Sequence, residues 1–124
     1  MSQALQDQYD EFPGFDTCIA LIRSDDPGTA EDGYFWLEGR AGQYAHQLIS
    51  LVEAERDSFI RSRSYFVELL AAAKDPNAIP TLISEMSHPN QQVRYWAVTG
   101  LEEIGSEREQ ELVRAHKAAH PDEW

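Results

Sequence analysis

Cysteine is almost missing from this chain. Cys18 stands alone among 124 residues, which excludes a disulfide framework and a thiolate metal cluster. Basic residues are scarce as well: 10 Lys and Arg face 22 Asp and Glu, for a net charge of -12. Nucleic-acid binders display a basic surface that displaces counterions from phosphates, so this balance argues against DNA and RNA. Anionic membranes are disfavoured for the same reason. Long hydrophobic runs are absent, and none approaches the length needed to cross a bilayer. The opening stretch Met1 to Glu11 has neither the basic nor the apolar region of a secretory signal. Motifs of catalysis are missing too: there is no Gly-rich phosphate loop, no Gly-x-Ser-x-Gly elbow and no Cys/His constellation. The expectation is a soluble, cytoplasmic protein that works without metal or cofactor.

What the chain does have is enough apolar residue for one core. Hydrophobic residues make up 42% and aromatics 10%, which suits a single folded domain and argues against global disorder. Its apolar residues recur at helical spacing. Phe15–Ile22 reads as a helix stopped by Asp25-Asp26-Pro27-Gly28, and a second helix is expected from about Ala30 to Ala41, weakened by Gly39 and Gly42. Ala45–Glu55 carries Leu48, Leu51 and Val52 on one face. The segment from about Phe59 to Ala73 carries Phe66, Leu69, Leu70 and Ala73. Asp75-Pro76 opens the best-formed unit, with Ile79, Leu82, Ile83 and Met86 as its buried stripe. After the turn His88-Pro89-Asn90, the partner helix buries Val93, Ala97, Leu101 and Ile104 and ends at Gly105. A last helix, Glu107 to Ala119, is highly charged, with Leu112 and Val113 as its main apolar contacts.

These segments echo at 31 residues. Arg94 steps back to Arg63, and Ile79, Leu82 and Ile83 step back to Leu48, Leu51 and Val52. A period of this size marks a repeat array, in which one helix pair cannot hide its apolar face and stacks on the next. The units run over 13–43, 44–74 and 75–105. Residues 1–12 form an arm or cap, and 106–124 form a capping half-repeat with a polar outer side.

The arrangement Asp75-Pro76-x-Ala78-Ile79-Pro80-x-Leu82-Ile83, a turn, then Val93-Arg94-x-x-Ala97 with Leu101 and Ile104-Gly105 resembles the short bacterial HEAT-like repeats first grouped with the phycobilisome lyases. The unit before it keeps Asp57 in the turn and Arg63 in the helix, with Ile49 where proline would sit. In the first unit Asp26-Pro27 matches the turn, while Asp32 stands at the arginine position and Gly39 at a core leucine. The resemblance implies an all-α, right-handed α-α superhelix of about three helix pairs plus a C-terminal capping helix. It also implies that the helix-B arginine, Arg63 or Arg94, bonds back to an acidic turn residue. Asp57 can serve Arg63, whereas His88 replaces the acid beside Arg94. Such proteins are mostly binding scaffolds. Small acidic ones also occur as immunity proteins that block a bacterial toxin.

The candidate binding residues lie on helix B of each pair. Tyr34, Tyr65 and Trp96 share one register. Gln92, Trp96, Thr99 and Glu103 form one helix face, and Arg61, Tyr65, Glu68 and Ala72 form the equivalent face before it. Stacked, these faces make a shallow groove with aromatic anchors and acidic flanks, suited to a protein partner with a basic surface. The competing reading has the aromatics filling gaps between units. Gly33-Tyr34-Phe35-Trp36-Leu37 is read as packing of the first repeat, with a binding patch or a homo-oligomer contact as the alternative. His116 and His120 stand at i, i+4, but no third metal ligand is fixed, so they read as a solvated chain end. Cys18 reads as a small core residue. The expected function is stoichiometric protein binding without catalysis, sharpest as toxin occlusion. Its rivals are a regulatory or assembly subunit of a larger complex, a bilin lyase component and a HEAT-type DNA glycosylase.

Overall fold

Helix starts in this chain are set by short polar side chains placed before proline or a polar turn. Asp26 accepts hydrogen bonds from the Thr29 N–H (2.9 Å) and the Thr29 hydroxyl (2.8 Å), and Pro27 fills the first helical position, where no N–H is needed. Asn90 accepts from the Gln92 and Val93 N–H groups. Ser106 and Glu109 make a reciprocal capping box. In the computed structural model, which describes residues 11–54 and 60–123, these starts produce seven α-helices and no strand among the described residues. They are α1 (Phe15–Ile22), α2 (Pro27–Glu38), α3 (Ala45–Ala54), α4 (Ile60–Ala73), α5 (Ile79–Glu85), α6 (Gln91–Ile104) and α7 (Glu107–Ala119). Short 3-10 turns cover Ala41–Tyr44, Pro76–Ala78 and Pro121–Glu123. The fold is an all-α helical repeat.

The second helix begins three residues before the expected Ala30 and stops at Glu38, because Asp26 and Pro27 nucleate it and the chain turns into a 3-10 segment after Gly39. The expected start at Phe59, the end at Glu55 and most of the N-terminal arm lie outside the described residues.

Consecutive helices pair as α1 with α2, α3 with α4 and α5 with α6, and the second helices stack as α2 on α4 on α6. The central member of that row, α4, buries Phe66, Val67, Leu69, Leu70 and Ala71. Its first turns also bind the end of α1: the Ser62 hydroxyl donates to the Ile22 carbonyl and the Arg61 guanidinium donates to the Ser24 carbonyl. These bonds satisfy acceptors that a helix end leaves without intrahelical partners. Leu82 and Val93 are fully buried beside this row, whereas Ile79, Ile83 and Ile104 are only partly covered. In α7, Val113 reaches the core and Leu112 faces outward.

Buried positions of α4 and α6 correspond at 31 residues: Phe66 with Ala97, Val67 with Val98, Leu70 with Leu101. In α2 the buried residues are Ala30, Asp32, Gly33 and Leu37, and Asp32, 31 residues before Arg63, is as deeply buried as that arginine. Gly33 is there for close approach. A Cβ there would lie 2.6 Å from the Cys18 carbonyl and 2.8 Å from the Leu21 Cβ.

Gly33 and Gly39 therefore respond oppositely to a methyl group. We expect Gly33→Ala to lower unfolding stability by about 1–3 kcal/mol, as overpacking does. Gly39 has open space around its Cβ direction and φ -77, so Gly39→Ala should raise stability by about 0.4–1 kcal/mol through the unfolded chain. Denaturant midpoints at constant m-value measure both.

Candidate functional site

Side chains four, three and four apart share one face of a helix. On α4 this series is Arg61, Tyr65, Glu68, Ala72; on α6 it is Gln92, Trp96, Thr99, Glu103. Because α4 lies between α2 and α6, the two series meet, and α2 adds Tyr34 and Glu38. Two adjoining clefts result. One, of about 350 Å³, is lined by Arg61, Tyr65, Glu68 and Gln92, with Ser64 and Asn90. The other, of about 530 Å³, is lined by Tyr34, Glu68, Trp96, Thr99 and Glu103, with Glu38 and Lys74 on its edge. Glu68 belongs to both. All eight residues expected to face a partner line one or the other.

The aromatic residues are neither free nor hidden. Tyr34, Tyr65 and Trp96 are each half-buried against the core and each line a cleft. The Tyr34 and Tyr65 rings stack with centroids 5.1 Å apart. Trp96 takes the Tyr95 ring edge-on at 5.0 Å. The indole N–H of Trp96 is buried without a hydrogen-bond partner among the described residues. Tyr34 also lines the larger cleft together with Glu68.

Tyr34 lies in an acidic neighbourhood. Burial pushes the Tyr34 phenol up, and the hydrogen bond and charge of Glu68, with Glu38 beyond, push it further. Burial also pushes the Glu68 carboxyl above its ordinary value. Glu38 adds to the rise, and the Tyr34 hydroxyl opposes it. Tyr65 is raised by burial and by Glu31 and Glu68, with Arg61 acting the other way. Arg61 is held by its bond to the Ser24 carbonyl, so its first role is to tie α4 to the end of α1.

The two repeat arginines each hold a carboxylate that comes later in the chain. Arg63 is buried and grips the Glu85 carboxylate with two nitrogens, Nε at 3.1 Å from Oε2 and Nη2 on Oε1. Asp57, its expected partner, lies outside the described residues. Arg94 donates to the His88 and Pro89 carbonyls, both at 2.8 Å, and pairs with Glu123. The turn backbone thus takes the place of an acidic side chain. His88 caps that turn by accepting the Asn90 N–H at Nδ1 (3.0 Å). Its imidazole is lowered by burial and by Arg63 and Arg94, against Glu85. Sequence reasoning missed Glu85 and Glu123. The available signal was an acid on an otherwise buried helix stripe, Glu85 falling three residues after Leu82.

Elsewhere, Cys18 is fully buried, and burial drives its thiol up to about 11. The His116 and His120 rings stack at 4.4 Å, and the described residues contain no group of three or more His, Cys, Asp or Glu placed to hold a metal. Among the described residues no helix is long and apolar enough to cross a membrane. A third cleft, of about 620 Å³, opens between α1 and α3 beside Phe15, Ile19 and Leu51. Leu51, on one face with Leu48 and Val52, is half-buried and packs against the core.

Stacked helix pairs with a grooved row of second helices define a helical-repeat protein. The family model for HEAT repeats matches residues 48–124, more than half of the chain, and the protein belongs to that family. HEAT repeats generally mediate protein–protein interaction. Compared with the curated proteins and with the solved structures, the chain finds no match in either.

Two consequences are measurable. The folded state holds the Glu68 proton more tightly than the unfolded chain does, so its buried charge is a cost above the raised titration and vanishes below it. Glu68→Gln removes the charge and keeps the side chain's shape. We expect it to exceed the parent in stability at neutral pH, with the difference closing as pH falls through the carboxylate range. Glu85→Ala leaves the Arg63 guanidinium buried without that carboxylate and should cost about 3–5 kcal/mol. Thermal melts across pH read out both.

Proposed function

We propose that this protein is a non-catalytic protein-binding scaffold that docks its partner on the row of second helices. The supporting observation is the pair of joined clefts, in which half-buried aromatic walls meet a carboxylate rim drawn from three helices. Rigid aromatics lose little entropy on docking and dominate interface energetics. The carboxylates Glu31, Glu38, Glu68 and Glu103, in a chain of net charge -12, favour a partner with a basic surface and speed its encounter. The sharper form of the reading is an immunity-type protein that covers a cationic bacterial toxin domain and inhibits it sterically. It rests on size, acidity and family analogy.

The test uses immobilised protein and cell extract, with variants on two faces. Tyr65→Ala and Glu103→Lys should each abolish capture of the partner while circular dichroism stays that of the parent. Gln47→Lys, beside the cleft between α1 and α3, should leave capture intact. Equal capture by all variants would remove the docking face from the second helices. The inhibitor reading further requires that the captured protein lose its activity at one-to-one stoichiometry.

A further inference from the structure

The larger of the two clefts has a shape and charge that select a particular side chain. We propose that it receives one arginine of the partner protein, with the guanidinium laid between Tyr34 and Trp96 and paired with Glu68. This rests on the reading of the second-helix row as the docking face.

The walls come from different helices and are fixed before any partner arrives. Tyr34 of α2 is held by its stack on Tyr65 and by packing against the core. Trp96 of α6 is held by the edge contact with Tyr95. Preorganised walls spare the partner the cost of ordering them. The space between, about 530 Å³, falls in the range of ligand pockets and accommodates one long side chain.

Charge decides which side chain. Every helix of the cleft brings a carboxylate to it: Glu38 from α2, Glu68 from α4 and Glu103 from α6. One cation, Lys74 at the end of α4, faces them on the exposed edge. Glu38 and Glu103 are exposed, but Glu68 is half-buried, and no cationic side chain pairs with it among the described residues. An anionic or wholly apolar group would leave that carboxylate uncompensated. A cation repairs it. Between the two cationic side chains, arginine fits better. Its planar fork stacks on aromatic faces, takes a carboxylate through two N–H bonds and gives up its hydration more readily than an ammonium.

The probe is a capped Gly-Arg-Gly tripeptide, titrated into the full chain and followed by amide and indole NMR shifts. We expect saturable shifts at the Trp96 indole and at residues around Glu68. They should be weaker with the lysine tripeptide and absent with the citrulline one, which keeps the shape and loses the charge. Glu68→Gln should weaken binding at least about tenfold, and Trp96→Phe, which keeps an aromatic wall, should retain most of it. Absence of saturable shifts would overturn the proposal. So would equal binding of the citrulline peptide or indifference to Glu68→Gln. The arginine pocket and the docking face fail separately. If the tripeptide does not bind but Glu103→Lys still abolishes partner capture, the face stands and the pocket falls. If the tripeptide binds as expected and capture is unaffected by Tyr65→Ala and Glu103→Lys, the docking face falls, and with it the assignment of this arginine to a partner.

Discussion

One helix of this chain has scarcely a free side, and its confinement organises the rest. α4 packs against α2, α3 and α6. Its buried residues are not a single stripe but Ser62, Arg63, Phe66, Val67, Leu69, Leu70 and Ala71, which leave only a narrow outward sector. A lone helix pair cannot provide such cover, and flanking pairs supply it. Because α4 cannot rotate without exposing Phe66 or Leu70, the residues in its open sector are pinned. That sector holds Arg61, Tyr65 and Glu68, and the two clefts are consequences of core packing rather than of loops.

The same confinement explains how a guanidinium comes to lie in the core. Arg63 is 2% exposed, which would be prohibitive for a lone charge. Glu85 answers it from α5, in the following helix pair, through a two-nitrogen grip. Arg94 binds its own turn and then Glu123, in the terminal 3-10 segment. In both cases a helix-B arginine ties its unit to chain that comes later. Directional bonds of this kind set where the next unit sits, whereas apolar contact alone tolerates sliding.

How much of this was legible follows from what repeats reveal. The all-helical repeat, the turns at Asp26, Asp75 and Asn90, and the buried Leu82, Val93, Ala97 and Leu101 were readable, because capping and periodicity are local and recur. The shared face of Arg61, Tyr65, Glu68, Gln92, Trp96, Thr99 and Glu103 was readable for the same reason. The close approach of the first pair was not. Gly33 permits a contact over Cys18 and Leu21 that no local pattern announces. Glu85 was hidden because an acid in an apolar stripe gains meaning only from a distant arginine.

The first pair also shapes the chemistry of the face. Tyr34 stacks on Tyr65 and lines one cleft with Glu68, Trp96 and Glu103. An aromatic wall and a carboxylate are thereby joined in one cleft, and partial burial there raises the Glu68 carboxyl. The packing of α2 against α4 is therefore what converts a repetitive stripe into a cleft with a distinct interior. The charge imbalance stored there is unfavourable in the free protein, and a cation entering from outside relieves it.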